Sequence, residues 1–141
     1  MALANIYQSY TKAQVRTDDP QKVLVLLFEG IISFLNKAHS EISDKQYLPA
    51  HDNFMKAKNI IVELMCALDM EQGGEIAQNL YNLYWFLFEK IVEADYTKNT
   101  ATIDMIIPVI RTIKSGWEHM ELQNDERGHL RSDTNNLNMK G

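Results

Sequence analysis

Glu-x-x-His repeated on two helices, with two further glutamates facing the same interior, is how an all-helical protein holds a pair of metal ions. This chain carries that motif once, as Glu126 and His129, in a polar stretch near its C-terminus. One motif is half of such a site, so no metal is expected. His39, His51 and His119 fall at or near the ends of helices that periodicity predicts, where solvated imidazoles are expected. Cys66 lies in the apolar run IIVELMCAL with no histidine near it in sequence, and reads as a small core residue rather than a nucleophile. Gly73-Gly74 lacks the residues of a phosphate-binding loop and reads as a turn. No catalytic residue and no cofactor is therefore expected, and the chain is expected not to be an enzyme.

Composition narrows the alternatives. At 141 residues, 45% hydrophobic and 23% charged, the chain has the make-up of one globular domain. A net charge of -5 and a pI near 5.3 argue against a phosphate backbone as partner, because that affinity rests on clustered Lys and Arg. With a single cysteine there is no disulfide framework. The N-terminus MALANIYQSYTKAQVR has no basic region followed by an apolar one, so no cleavable signal is expected and the compartment is expected to be cytoplasmic. The apolar stretch LYNLYWFLFEKIV, Leu80 to Val92, contains Glu89 and Lys90 and falls short of the ~20 residues that span a bilayer.

Four helical patterns account for most of the sequence. The first is expected from Pro20, capped by Asp18 or Asp19, to about Ile42, with Leu24, Phe28, Ile31, Leu35, Ala38 and Ile42 on one face. The second is expected from near Pro49, with Phe54, Ala57, Ile61, Leu64 and Leu68 as its core stripe and Ile60, Val62 and Met65 outside it. The third runs from about Glu75 to Asp95, its core row being Leu80, Leu83, Leu87 and Ile91. The fourth, capped by Asn99 or Thr100, carries Ile103, Ile106, Ile110, Ile113, Trp117 and Met120 at spacings of three and four. Pro108 predicts a kink or break between Asp104 and Pro108; the alternative is a helix that begins only near Pro108. Short connections force neighbours antiparallel, giving an all-α, up-down four-helix bundle over residues 20–120. Residues 1–19 are expected to dock as an arm and residues 121–141 to form a disordered tail.

A bundle helix needs about three apolar positions in seven. The third helix has more: Tyr81, Tyr84, Trp85, Phe86, Phe88 and Val92 surround the core row, and VLVLLFEGII gives the first helix a similar excess. Concentrated surplus of this kind produces contiguous patches, and such patches mark binding surfaces. An amphipathic helix laid between two bundle helices is the partner that suits them. A bundle that associates with itself through this surplus is the alternative.

Four stretches make the chain resemble the bacterial flagellar secretion chaperones: NIYQSYTKAQVRTDDP (Asn5 to Pro20), LLFEGIISFL (Leu26 to Leu35), DNFMKAKNIIVELMCALD (Asp52 to Asp69) and LYNLYWFLFEKIVEADYTKN (Leu80 to Asn99). The resemblance implies a small antiparallel bundle that binds the C-terminal segment of flagellin in surface grooves, prevents its premature polymerisation and delivers it to components of the export apparatus. It further implies that the arm with its paired tyrosines borders the client surface. The residues expected to meet the partner are Ile6, Tyr7, Tyr10 and Val15 of the arm, Ile60, Glu63, Leu64 and Met65 of the second helix, and Tyr81, Tyr84 and Phe88 of the third.

Overall fold

The computed structural model describes the backbone of residues 20–139 and the side chains of residues 20–119. Within it the chain forms four helices: α1 (Pro20–Ser43), α2 (Tyr47–Cys66), α3 (Gly74–Thr97) and α4 (Thr100–Met139). α1 packs against α2 and α4, and α3 completes the ring by packing against α2 and, least extensively, α4. Cross-helix pairs fix the directions. Asn53 of α2 donates to Glu41 of α1 while Lys56 lies over Phe34. His51 meets Asp95 of α3 while Lys58 lies over Phe88. His39 of α1 meets Asp104 of α4 while Glu29 meets Lys114. In each pair of helices residue numbers rise on one as they fall on the other, so all three contacts are antiparallel and the up-down bundle read from the sequence is the one observed.

Local chemistry ends each helix. After α1, Gln46 N–H donates to the Glu41 carbonyl at 2.7 Å and Lys45 N–H to that of Ile42 at 2.9 Å, which closes the last turn with Lys45 at a φ of 60°. No glycine marks this turn, so the sequence carried no signal for it. After α2, the Asp69 carboxylate accepts N–H groups of Glu71 and Gln72 at 3.2 and 3.0 Å. Gly73 then passes so close to Ala77 that a Cβ would stand 2.5 Å from the Ala77 Cβ, and Gly74 has a φ of +56°. The Asn99 side chain caps α4 by accepting Ala101 N–H at 3.0 Å.

The core is one cluster drawn from all four helices, including Leu27, Phe28, Ile31 and Leu35 of α1, Phe54, Ile61 and Leu64 of α2, Leu87 and Ile91 of α3, and Ile103, Ile106 and Ile110 of α4. α1 is the one described helix long and apolar enough to cross a membrane, yet its apolar row lies inside this cluster. α4 runs unbroken from Thr100 through Pro108, which bears out a single helix over one that begins near Pro108 and shows no break between Asp104 and Pro108; Pro108 is exposed, with its ring on the solvent side. The backbone of α4 is helical as far as Met139. Cys66, expected in the core, is exposed: it lies about 200° around the helix from Leu64, the last buried residue of α2.

Candidate partner-binding groove

The contacts His51–Asp95 and Lys58–Phe88 show which flanks of α2 and α3 face each other. On α2 that flank continues at helical spacing through His51, Met55, Lys58, Val62 and Met65; on α3 it runs through Tyr81, Trp85, Phe88, Val92 and Asp95. Antiparallel register sets Met65 opposite Tyr81, Val62 opposite Trp85 and Met55 opposite Val92. Beneath them Phe54, Ala57, Ile61 and Leu64 meet Tyr84, Leu87, Ile91 and Ala94 in the core. Above them the two rows remain open: Val62 is 38% exposed, Trp85 and Val92 are 42% exposed, and Met55, Met65, Tyr81 and Phe88 are half-buried. The rows enclose a groove about 20 Å long by helix geometry, lined by apolar and aromatic side chains.

Electrostatics and ring packing hold its walls. Trp85 stands edge-on against Phe88 with centroids 5.2 Å apart. The Lys58 ammonium lies over the Phe88 ring at 5.8 Å. One end is closed by Asp95, which pairs with His51 at 2.6 Å and with Lys98.

The structure divides the residues expected to bind. Met65, Tyr81 and Phe88 line the groove. Ile60, Leu64 and Tyr84 are 1–2% exposed and belong to the core, which removes them from any surface. Tyr84 packs on Phe28 of α1 with centroids 6.3 Å apart, and its hydroxyl accepts a hydrogen bond from Trp117 of α4. Burial pushes its pKa up to about 12, and the Trp117 bond opposes that shift. Glu63 lies on the opposite flank of α2, seven residues from Lys56 and on the side that faces α1. Ile6, Tyr7, Tyr10 and Val15 lie outside the described residues. Sequence reasoning missed Met55, Val62, Trp85 and Val92 as groove residues, although the four-three-four spacing from Tyr81 through Trp85 and Phe88 to Val92 was available.

Among the described residues no cluster of three or more His, Cys, Asp or Glu side chains could hold a metal ion. His39 and His51, expected to be free in solvent, each bridge two helices, to Asp104 at 3.1 Å and to Asp95 at 2.6 Å.

A four-helix bundle with an apolar groove open beside its core defines the architecture of this chain. The chain belongs to the FliS family of flagellar proteins, whose model matches residues 3–124. Among its relatives, the flagellar secretion chaperone FliS of Vibrio cholerae serotype O1 is 32% identical over 117 residues, covering 80% of this chain and 86% of the relative. The flagellar secretion chaperone FliSB of Pseudomonas aeruginosa is also 32% identical over 117 residues, covering 83% of this chain and 93% of the relative. A crystal structure of a bacterial flagellar chaperone superimposes with a TM-score of 0.70 over 86% of this chain and 98% of that one; at 21% identity it speaks for the fold.

Proposed function

We propose that this protein is a cytoplasmic export chaperone that holds the C-terminal segment of flagellin in the α2–α3 groove, prevents its premature polymerisation and passes it to components of the export apparatus. The observation that carries this reading is the groove itself: two apolar rows in register, open to solvent above a closed core. Membership of a family whose relatives are named flagellar secretion chaperones supports the export role. No reaction is required. Covering the apolar face of an amphipathic client helix removes the surface through which it would assemble. The client contacts assigned here are Met65, Tyr81 and Phe88 together with Met55, Val62, Trp85 and Val92, and the resemblance adds Ile6, Tyr7, Tyr10 and Val15 of the arm.

The test is titration of a peptide matching the flagellin C-terminal segment, followed by calorimetry and circular dichroism. Saturable binding with added helix is expected, and Trp85→Ala should weaken it roughly tenfold while leaving the fold intact. Absence of both heat and added helix would overturn the reading. A stable dimer that protects Trp85 from solvent and refuses the peptide would instead establish the self-associating bundle.

A further inference from the structure

Lys58 stands midway along the groove, which sets it apart from the other lysines that lie over aromatic rings; Lys37 and Lys56 both lie over Phe34 of α1, away from the groove. Lys90 lies over Phe86 at 5.8 Å and is also paired with Glu93 at 3.0 Å. Lys98 lies over Phe54 at 5.5 Å and is also paired with Asp95. Lys58 lies over Phe88 at 5.8 Å, and among the described residues no carboxylate pairs with it. Its neighbours along the groove flank of α2, Met55 and Val62, are neutral, as are Trp85 and Val92 across the groove.

While the groove is open, water solvates this ammonium. A helix laid over it removes that water, and a buried charge without a counter-charge is strongly unfavourable. A wholly apolar client face would therefore bind poorly at the groove's centre. A carboxylate at that point would instead form a charge-assisted pair in a partly dehydrated setting, where such pairs are stronger than at an open surface. The chain as a whole carries a net charge of -5, so it repels an acidic client at long range. Attraction has to come from position, not from total charge.

We propose that Lys58 is a specificity-determining residue of the groove, selecting an amphipathic client helix that carries one Asp or Glu amid the apolar side chains that meet Trp85, Phe88 and Val62. This rests on the reading of the groove as the client site. The apolar rows supply contact area, and Lys58 sets the register along the groove, because a helix shifted by one turn would leave its carboxylate among apolar side chains and Lys58 unpaired.

The experiment measures binding of the flagellin C-terminal peptide to the wild type and to Lys58→Met, with each Asp and Glu of the peptide exchanged in turn for Asn or Gln. Lys58→Met keeps the length of the side chain, and an unchanged melting temperature checks its fold. At low ionic strength we expect Lys58→Met to weaken binding about tenfold or more. One peptide carboxylate should cause the same loss in the wild type and none in Lys58→Met. Lys58→Glu should abolish binding, and exchanging that carboxylate for Lys should restore it. Equal or tighter binding by Lys58→Met, or carboxylate effects identical in both proteins, would overturn the inference while leaving the groove as the client site. Binding by neither protein would overturn the functional reading and the inference with it.

Discussion

Tyr84 carries a hydroxyl into the core, and the way that hydroxyl is satisfied explains why its position was misread. An aromatic with a polar edge suits a surface as well as an interior, and periodicity put Leu83 in the core row and Tyr84 outside it. The structure chooses Tyr84, which lies in line with Leu87, Ile91 and Ala94 at spacings of three and four, whereas Leu83 stands about 100° away. Trp117 supplies the donor that makes this burial tolerable. A pH dependence follows from the raised pKa. The folded value of about 12 exceeds the ordinary 10.0, so folding disfavours the phenolate. The stability due to the neutral phenol is present in full below pH 10 and is lost as the pH climbs from there through about 12. By pH ~11.5 the wild type should have lost about 2 kcal/mol relative to Tyr84→Phe, which cannot ionise there. Urea unfolding of both proteins at pH ~8 and ~11.5 measures the difference; a gap that does not change with pH would show that the phenol is free to ionise in the fold.

Among the elements, α4 carries the one irregularity that the sequence left between two readings, Pro108. The spacing from Ile103 to Trp117 specified its face correctly and Asn99 marked its start, while Pro108 left a single helix and a later start as the two readings, of which the single helix is observed. Pro108 lacks the N–H that would bond the Asp104 carbonyl, yet it is exposed, so the cost falls where solvent can reach the orphaned group. On the inner side Ile106, Ile107 and Ile110 are buried, and their packing holds the helix through the defect. Sequence rules score proline by helix position alone; the decisive variable was which side of the helix it occupied. Pro108→Ala should restore the missing hydrogen bond and raise the unfolding free energy by about 1–3 kcal/mol, read as a higher melting temperature. A lower melting temperature would mean that the proline shapes α4 to fit its neighbours. The turns between helices were less legible for a similar reason: Lys45 and Lys98 take positive φ values of 60° and 53° without the glycine that would have announced them.

For the whole molecule, the hydrophobic run in α3 serves two surfaces, and neighbouring residues separate them. Ile91 is fully buried in the cluster shared by all four helices, whereas Val92, one position on, is 42% exposed at the groove. The sequence showed the excess of apolar residues but could not show how they divide, because that depends on how α3 is rotated against α2, and rotation is fixed only once the other helices pack. Contacts such as Lys58–Phe88 and His51–Asp95 set that rotation. The two residues should consequently fail in opposite ways. Ile91→Ala leaves a cavity in a closed core and should cost about 2–5 kcal/mol of stability. Val92→Ala removes surface that solvent already reaches and should change stability by no more than about 0.5 kcal/mol, yet it should weaken peptide binding severalfold by thinning one groove wall. Chemical denaturation and calorimetry on the same pair of variants measure both quantities. If Val92→Ala binds as the wild type does while Trp85→Ala and Lys58→Met do not, the client occupies the Tyr81 half of the groove and stops short of the end closed by His51 and Asp95. If all three bind normally, the exposed rows of α2 and α3 have no part in holding the client.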